Sequence, residues 1–193
     1  MGDYSTYILL ALIVGVLFWG VGIYNSLVRS RQRVAEGWSG IDVQLRRRAN
    51  LIPNLVDTVK AYTTHEQETL DNITKLRSQS EAAESKGNVK ERASAEGKLS
   101  GSMMHLFAVA ENYPDLKANQ NFLDLQHNLT QIEEQIQLAR RYFNGAAREL
   151  NVLVESVPSN IVANMFKFTK ATYFEVEDAT ERNVPKVGFG ETK

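Results

Sequence analysis

The chain has no cysteine. Disulfide stapling, thiolate metal sites and cysteine nucleophiles are therefore excluded, and a reducing compartment fits. Proline is scarce too, with 4 in 193 residues beside 12 glycines, which leaves room for long unbroken helices. No sign of charge dominates. Lys and Arg total 22 against 23 for Asp and Glu, a formal charge of -1, which argues against a dedicated nucleic-acid binder.

Chemical motifs are scarce as well. No glycine-rich phosphate loop and no nucleophile elbow occurs. The histidines are His65, His105 and His127, and none sits in a Glu-x-x-His pair of the kind that builds a bundle metal site. HEQET at His65 lacks a second histidine, and Asp124 with His127 reads as surface decoration on a helix. Glu133 and Glu134 lie on a polar face and read as solvated. Neither a catalytic residue nor a metal nor a cofactor is expected, and the chain reads as a non-enzyme.

What is abundant is apolar sequence at the start. From Tyr4 to Val28 no side chain is charged, and Tyr7–Tyr24 has the length and character of a transmembrane helix. Cleavage as a secretory signal is not expected, because Met1 to Thr6 carries Asp3 without a cation and the exit has no A-x-A. Arg29, Arg31 and Arg33 follow the span directly. Positive-inside bias then places residues 1–6 outside and the body in the cytoplasm. Trp19 and Tyr24, with these three arginines, form the expected membrane interface.

The body, residues 25–157, reads as an antiparallel up-down bundle of four helices. The first runs from about Ser26 to about Ala49, with Val34, Trp38, Ile41 and Leu45 on one stripe. Arg46, Arg47 and Arg48 then read as a solvated helix end, with contact to acidic lipid or a partner as the alternative. At Pro53 the chain either bends or reverses; the reversal gives the tidier bundle and is the expectation. A second helix runs from about Pro53 to Ser85 and stops at Gly87-Asn88. A third spans about Val89 to Asn112, with Gly97 and Gly101 four apart, a spacing that lets a backbone approach. The fourth follows a break at Tyr113-Pro114-Asp115, with Asp115 placed to help cap it, and keeps apolar spacing from Phe122 through Leu153 and Val157. Residues 158–193 read as a short amphipathic helix, IVANMFKFTKATYF, followed by an irregular tail with Val184, Val187 and Phe189 as anchors. That helix packs on the bundle end or docks on a membrane.

The runs VRSRQRVAEGWSGIDVQLRRRANLIPNLVDTVKAY, HEQETL, LFAVAENYPDLKANQNFLDLQ, VPSNIVANMFKF and YFEVE resemble the LemA family of bacterial membrane proteins. The resemblance covers nearly everything from the span to Phe174. It departs at Gly37, where the family usually has alanine, and at Lys167, where glycine is common; the second departure bears on the backbone path there. The resemblance implies a helical bundle behind a membrane span, at a bacterial inner membrane, with no established enzymatic activity. A relative of the family takes part in building the magnetosome membrane, so a role in membrane organisation is implied. Association with membrane proteases or TPM-domain proteins is implied in the same way. The functional expectation is a membrane-anchored scaffold that self-associates as a homo-oligomer, with the lipid bilayer as its first partner. Tyr113, Pro114, Asp115, Lys117 and Asn119 are the expected interaction corner. The alternative is a module that binds anionic lipid surfaces.

Overall fold

The first helix does not stop at its arginines. A computed structural model describes residues 2–63 and 65–175. Gly2–Lys60 is one continuous α-helix, α1, of 59 residues, about 88 Å long at 1.5 Å per residue. Its apolar first part projects away from the body, with none of the membrane-length window buried. Further along, Leu27, Ile41, Leu45, Ile52, Leu55 and Val59 turn inward as the stripe of a bundle helix.

The reversal expected near Asn50 is thus absent, and Pro53 lies inside α1. Proline in a helix interior costs about 3 kcal/mol, from one lost hydrogen bond and a ring clash. Around it Ile52, Leu55, Val56 and Val59 are all buried, at about 1.5–3 kcal/mol for each large side chain. Burial outweighs the break. The chain reverses after Lys60 instead, and the second helix, α2, spans only Gln67–Ser85. Gly87, at φ 64°, makes the tight turn that follows.

Asn88 caps α3 (Val89–Ala110) by accepting from the Glu91 N–H at 3.2 Å. Pro114–Lys117 is a single turn, α4, and Asn119 caps the long α5 (Gln120–Glu155) through the Phe122 N–H at 3.0 Å. Asp115 therefore caps nothing in α5; it stands in the first turn of α4. After a turn at Val157-Pro158 comes α6, Ser159–Met165.

Side-chain pairs show the antiparallel order. Arg33 meets Glu149 and Arg48 meets Glu133 between α1 and α5, and Asn72 meets Ser102 between α2 and α3. The bundle is complete only in the half far from the apolar window. There α1, α2, α3, α4 and α5 share a core of Leu55, Val59, Leu70, Ile73, Leu99, Leu106, Leu116 and Phe122. Nearer the window α2 and α3 are missing, and α6 with the chain that follows it covers α1 and α5 instead. Leu27, Leu150, Ala163 and Phe168 form that end's core. Val157, read from its spacing as core, is exposed.

The expected helix over residues 161–174 holds only to Met165, because Lys167 sits at φ 57°. Beyond it an extended strap runs back along α5. Asn151 exchanges two hydrogen bonds with the backbone of Ala171, at 2.7 and 3.0 Å, and Asn144 does the same for Phe174, at 2.9 and 3.1 Å. The two asparagines are seven apart on one helix and grip backbone three residues apart on an extended one, spacings of about 10 Å in each case. Val184, Val187 and Phe189 lie outside the described residues.

Two predictions arise here. A left-handed backbone is unfavourable for lysine and free for glycine, and the Lys167 side chain is exposed. Lys167→Gly is expected to stabilise the full chain by about 1 kcal/mol, read as a thermal midpoint a few degrees higher by circular dichroism in mild detergent. At Gly37 an added Cβ would lie 3.0 Å from Phe143 Cα and 3.1 Å from the Tyr142 ring, whereas at Gly40 it meets nothing within 4 Å. Alanine normally gains about 1 kcal/mol over glycine in a helix. Gly40→Ala is expected to show that gain, and Gly37→Ala to lose it by wedging α1 from α5. Equal gains at both positions would refute the close approach.

Candidate functional site

Two regions hold the residues that the sequence singles out. At the end of the apolar window, Trp19 and Tyr24 are exposed on α1, as are Arg29, Arg31 and Arg33 one to two turns later. Arg31 lies over the Phe168 ring at 5.2 Å, and Arg33 pairs with Glu149 at 2.9 Å. Tyr24 is itself in the body's grip. Its ring centroid is 4.7 Å from Phe166 and 5.8 Å from Phe168. The span, the basic turn and α6 thus meet in one place.

At the opposite end, two of the corner residues help close the bundle, while the others stay exposed. Tyr113 donates to the Glu66 carboxylate at 3.0 Å, and that bond, with burial, holds its phenol above the usual tyrosine pKa. Asn119 donates to the Tyr62 hydroxyl at 2.8 Å while its oxygen caps α5. Both contacts tie the α1–α2 reversal to the α3–α5 connection. Lys117 pairs with Glu111, while Pro114 and Asp115 remain exposed over the fully buried Leu116. The structure brings these five residues together, with a local folding role for Tyr113 and Asn119.

Between the ends lies a buried ionic network that reading by residue type overlooked. Arg48 is 1% exposed and is no part of a solvated helix end. It pairs with Glu96 of α3 and Glu133 of α5, and donates to Ser100 Oγ at 2.6 Å; Glu96 also accepts from Ser80 of α2. Glu133, expected to be solvated, is therefore held in an ion pair. Arg92 is buried likewise, pairing with Asp42 at 2.8 Å and Glu84 at 3.0 Å beneath the Trp38 ring. At the surface Arg46 bridges to Asp42 and Glu84. A usable signal was present: Arg48 falls seven residues after Ile41, on the same stripe.

Gly101 has open space where a neighbour's backbone was expected, and with Gly97, Met104 and Phe107 it lines a groove between α3 and α5. His65, His105 and His127 are exposed on separate elements, and no three potential metal ligands cluster among the described residues.

Sequence comparisons find similar proteins. Protein LemA of Metamycoplasma hominis is 27% identical, over 86% of this chain and 76% of its own length. Magnetosome protein MamQ 2 of Paramagnetospirillum magneticum is 23% identical, and MamQ of Magnetospirillum gryphiswaldense 22%. In both cases 81% of this chain is covered, along with 66% of the relative. The LemA family model matches residues 37–189, from the glycine that packs on Phe143 through the strap, and by that match the chain belongs to the LemA family.

Proposed function

We propose that this protein is a non-enzymatic, membrane-anchored scaffold with its N-terminus outside and its bundle in the cytoplasm. One observation carries the reading: the bare apolar window and the innermost bundle stripe are parts of a single helix, α1. A bilayer that holds one end of that helix therefore holds the body at a fixed distance. A role in membrane organisation is supported by the magnetosome proteins among the relatives. Self-association, and an accessory role beside membrane proteases or TPM-domain proteins, are the partner arrangements that suit a body of this kind. The LemA resemblance motivates the second.

The test is to express the chain with an epitope after Lys193. The protein should resist carbonate extraction, and the epitope should be digested only once the inner membrane is opened. It should also run larger than one copy in mild detergent, or carry a co-purifying protein. Extraction by carbonate would end the anchor reading, and a bare monomer would end the scaffold reading.

A second reading, binding to anionic lipid surfaces, is favoured by the exposed Arg29, Arg31 and Arg33 at the exit of the apolar window. It is compatible with the first.

A further inference from the structure

We propose that α6 is a second membrane contact, an interfacial foot that fixes how the bundle stands on the bilayer. The proposal rests on the anchor reading above and adds a surface to it. It begins with an apolar face that the fold leaves uncovered. On α6 the small side chains of Ser159 and Ala163 face inward, while Ile161 and Met165, one helical turn apart, are 61% and 70% exposed. Val157 before the helix and Phe166 after it are 79% and 55% exposed. From Ser156 to Phe166 the chain carries no charge. Such a group of large apolar side chains on a short, otherwise well-packed segment marks a contact surface.

Its position in the fold names the occupant. The Phe166 ring packs at a tilt, 4.7 Å between centroids, against Tyr24, the residue that ends the Tyr7–Tyr24 stretch. That stretch is about 27 Å long as a helix, close to the hydrocarbon thickness of a bilayer. Tyr24 therefore lies at the lipid–water boundary, and Phe166 lies beside it. The whole of α6 is seven residues, about 10 Å, so Ile161 and Met165 fall within headgroup reach of that level. Exposed cations adjoin the apolar group in sequence, Arg29 and Arg31 after Tyr24 on α1 and Lys167 directly after Phe166, and suit lipid phosphates, while Lys170 pairs with Glu155. An apolar tip with a basic rim, abutting the exit of a membrane helix, matches the interfacial zone.

A lone spanning helix leaves the body free to rotate and tilt, since orientation is set by interfacial anchors as well as by the span. An off-axis foot removes that freedom. The same face of the bundle would then always be turned toward the membrane, and the α3–α5 groove would keep a fixed bearing.

The cysteine-free sequence makes the test direct. Single cysteines replace Ile13, Ile161, Met165 or Leu138 in the full-length chain, and each carries an environment-sensitive nitrobenzoxadiazole label. The variants are placed in phosphatidylethanolamine/phosphatidylglycerol vesicles, with circular dichroism to confirm folding. The label at 13 should be quenched by deep nitroxide lipids. Labels at 161 and 165 should shift to the blue and be quenched by shallow nitroxide lipids several-fold more than the label at 138. If 161 and 165 behave like 138 while 13 is quenched, the foot is wrong and the anchor stands. If 13 is also unquenched, the anchor reading itself has failed. A blue shift at 161 without lipid quenching would assign the face to a second copy and overturn the proposal.

Discussion

Arg48→Ala is expected to lower the thermal midpoint of the body by roughly 6–20 °C, the equivalent of about 3–5 kcal/mol. The side chain sits where α1, α3 and α5 converge, 1% exposed, with carboxylates from Glu96 and Glu133 on it. Deleting the cation leaves Glu96 buried at 5% exposure with, among the described residues, the Ser80 hydroxyl as its side-chain partner. An uncompensated buried charge is among the few defects that cost so much. Arg46→Ala and Arg47→Ala, on exposed side chains of the same run, should each cost about 1 kcal/mol or less. A further variant isolates the cause. Replacing all three partners together (Arg48→Met, Glu96→Leu, Glu133→Leu) should recover most of the loss, because apolar packing often equals a buried ion group. Recovery is helped by the Arg48 Nε, which has no hydrogen-bond partner among the described residues. Circular dichroism of the detergent-solubilised full chain reads all four proteins. Were Arg48→Ala no worse than Arg47→Ala, the network would not be what fixes the register of α1 against α3 and α5.

That network marks where the sequence could be read and where it could not. Periodicity is a local quantity, so it located the apolar window, the stripe from Val34 to Leu45, and the long run of α5 from Phe122 to Leu150. It also marked the Gly87-Asn88 turn, since a left-handed glycine before a capping asparagine is a short-range signal. Pro53 was misjudged because its local cost is plain in the sequence, while the burial that offsets it depends on what α1 meets. Arg48 and Glu133 were misjudged for the same reason. Eighty-five residues separate them, and only the folded bundle shows that each has a partner. The departure at Lys167 was the more legible case: a lysine where the family has glycine pointed to an unusual backbone, and φ there is 57°. Trp19, Tyr24 and the arginines were expected at a membrane interface from their type and position, and they lie exposed at the end of the apolar window. For the helix after Pro158 the sequence left packing on the bundle end and docking on a membrane both open, because a short helix with apolar side chains on two faces is indistinguishable from core until one face is seen covered. The hydrogen bonds of Tyr113 and Asn119, at the expected interaction corner, join segments distant in the chain, and no local pattern shows such partners.

Phe174→Ala should be comparably severe, at about 3–5 kcal/mol, and it carries the strap's part in the fold. The ring is 1% exposed, 6.0 Å from Trp38 and capped by the Arg140 guanidinium at 5.7 Å. It joins Ile41, Leu45, Ile136 and Phe143 in the cluster that connects the four-helix half to the half nearer the apolar window. Truncation removes that apolar volume and also the reason for the backbone to lie against Asn144. The expected result is a lower midpoint together with rapid amide exchange over residues 168–175, while α1 and α5 stay protected around Arg48. Asn144→Ala should leave the strap largely protected at a smaller global cost, about 1–3 kcal/mol, since it deletes two hydrogen bonds but leaves the ring in place. The order of the two variants decides what holds the strap. If Asn144→Ala released it as completely as Phe174→Ala, the amide clamp would be the fastening and the ring a passenger. If Phe174→Ala alone does so, burial is the fastening and the asparagines set only where along α5 the strap lies. The second outcome is expected, because a fully buried phenylalanine outweighs two hydrogen bonds exchanged for water.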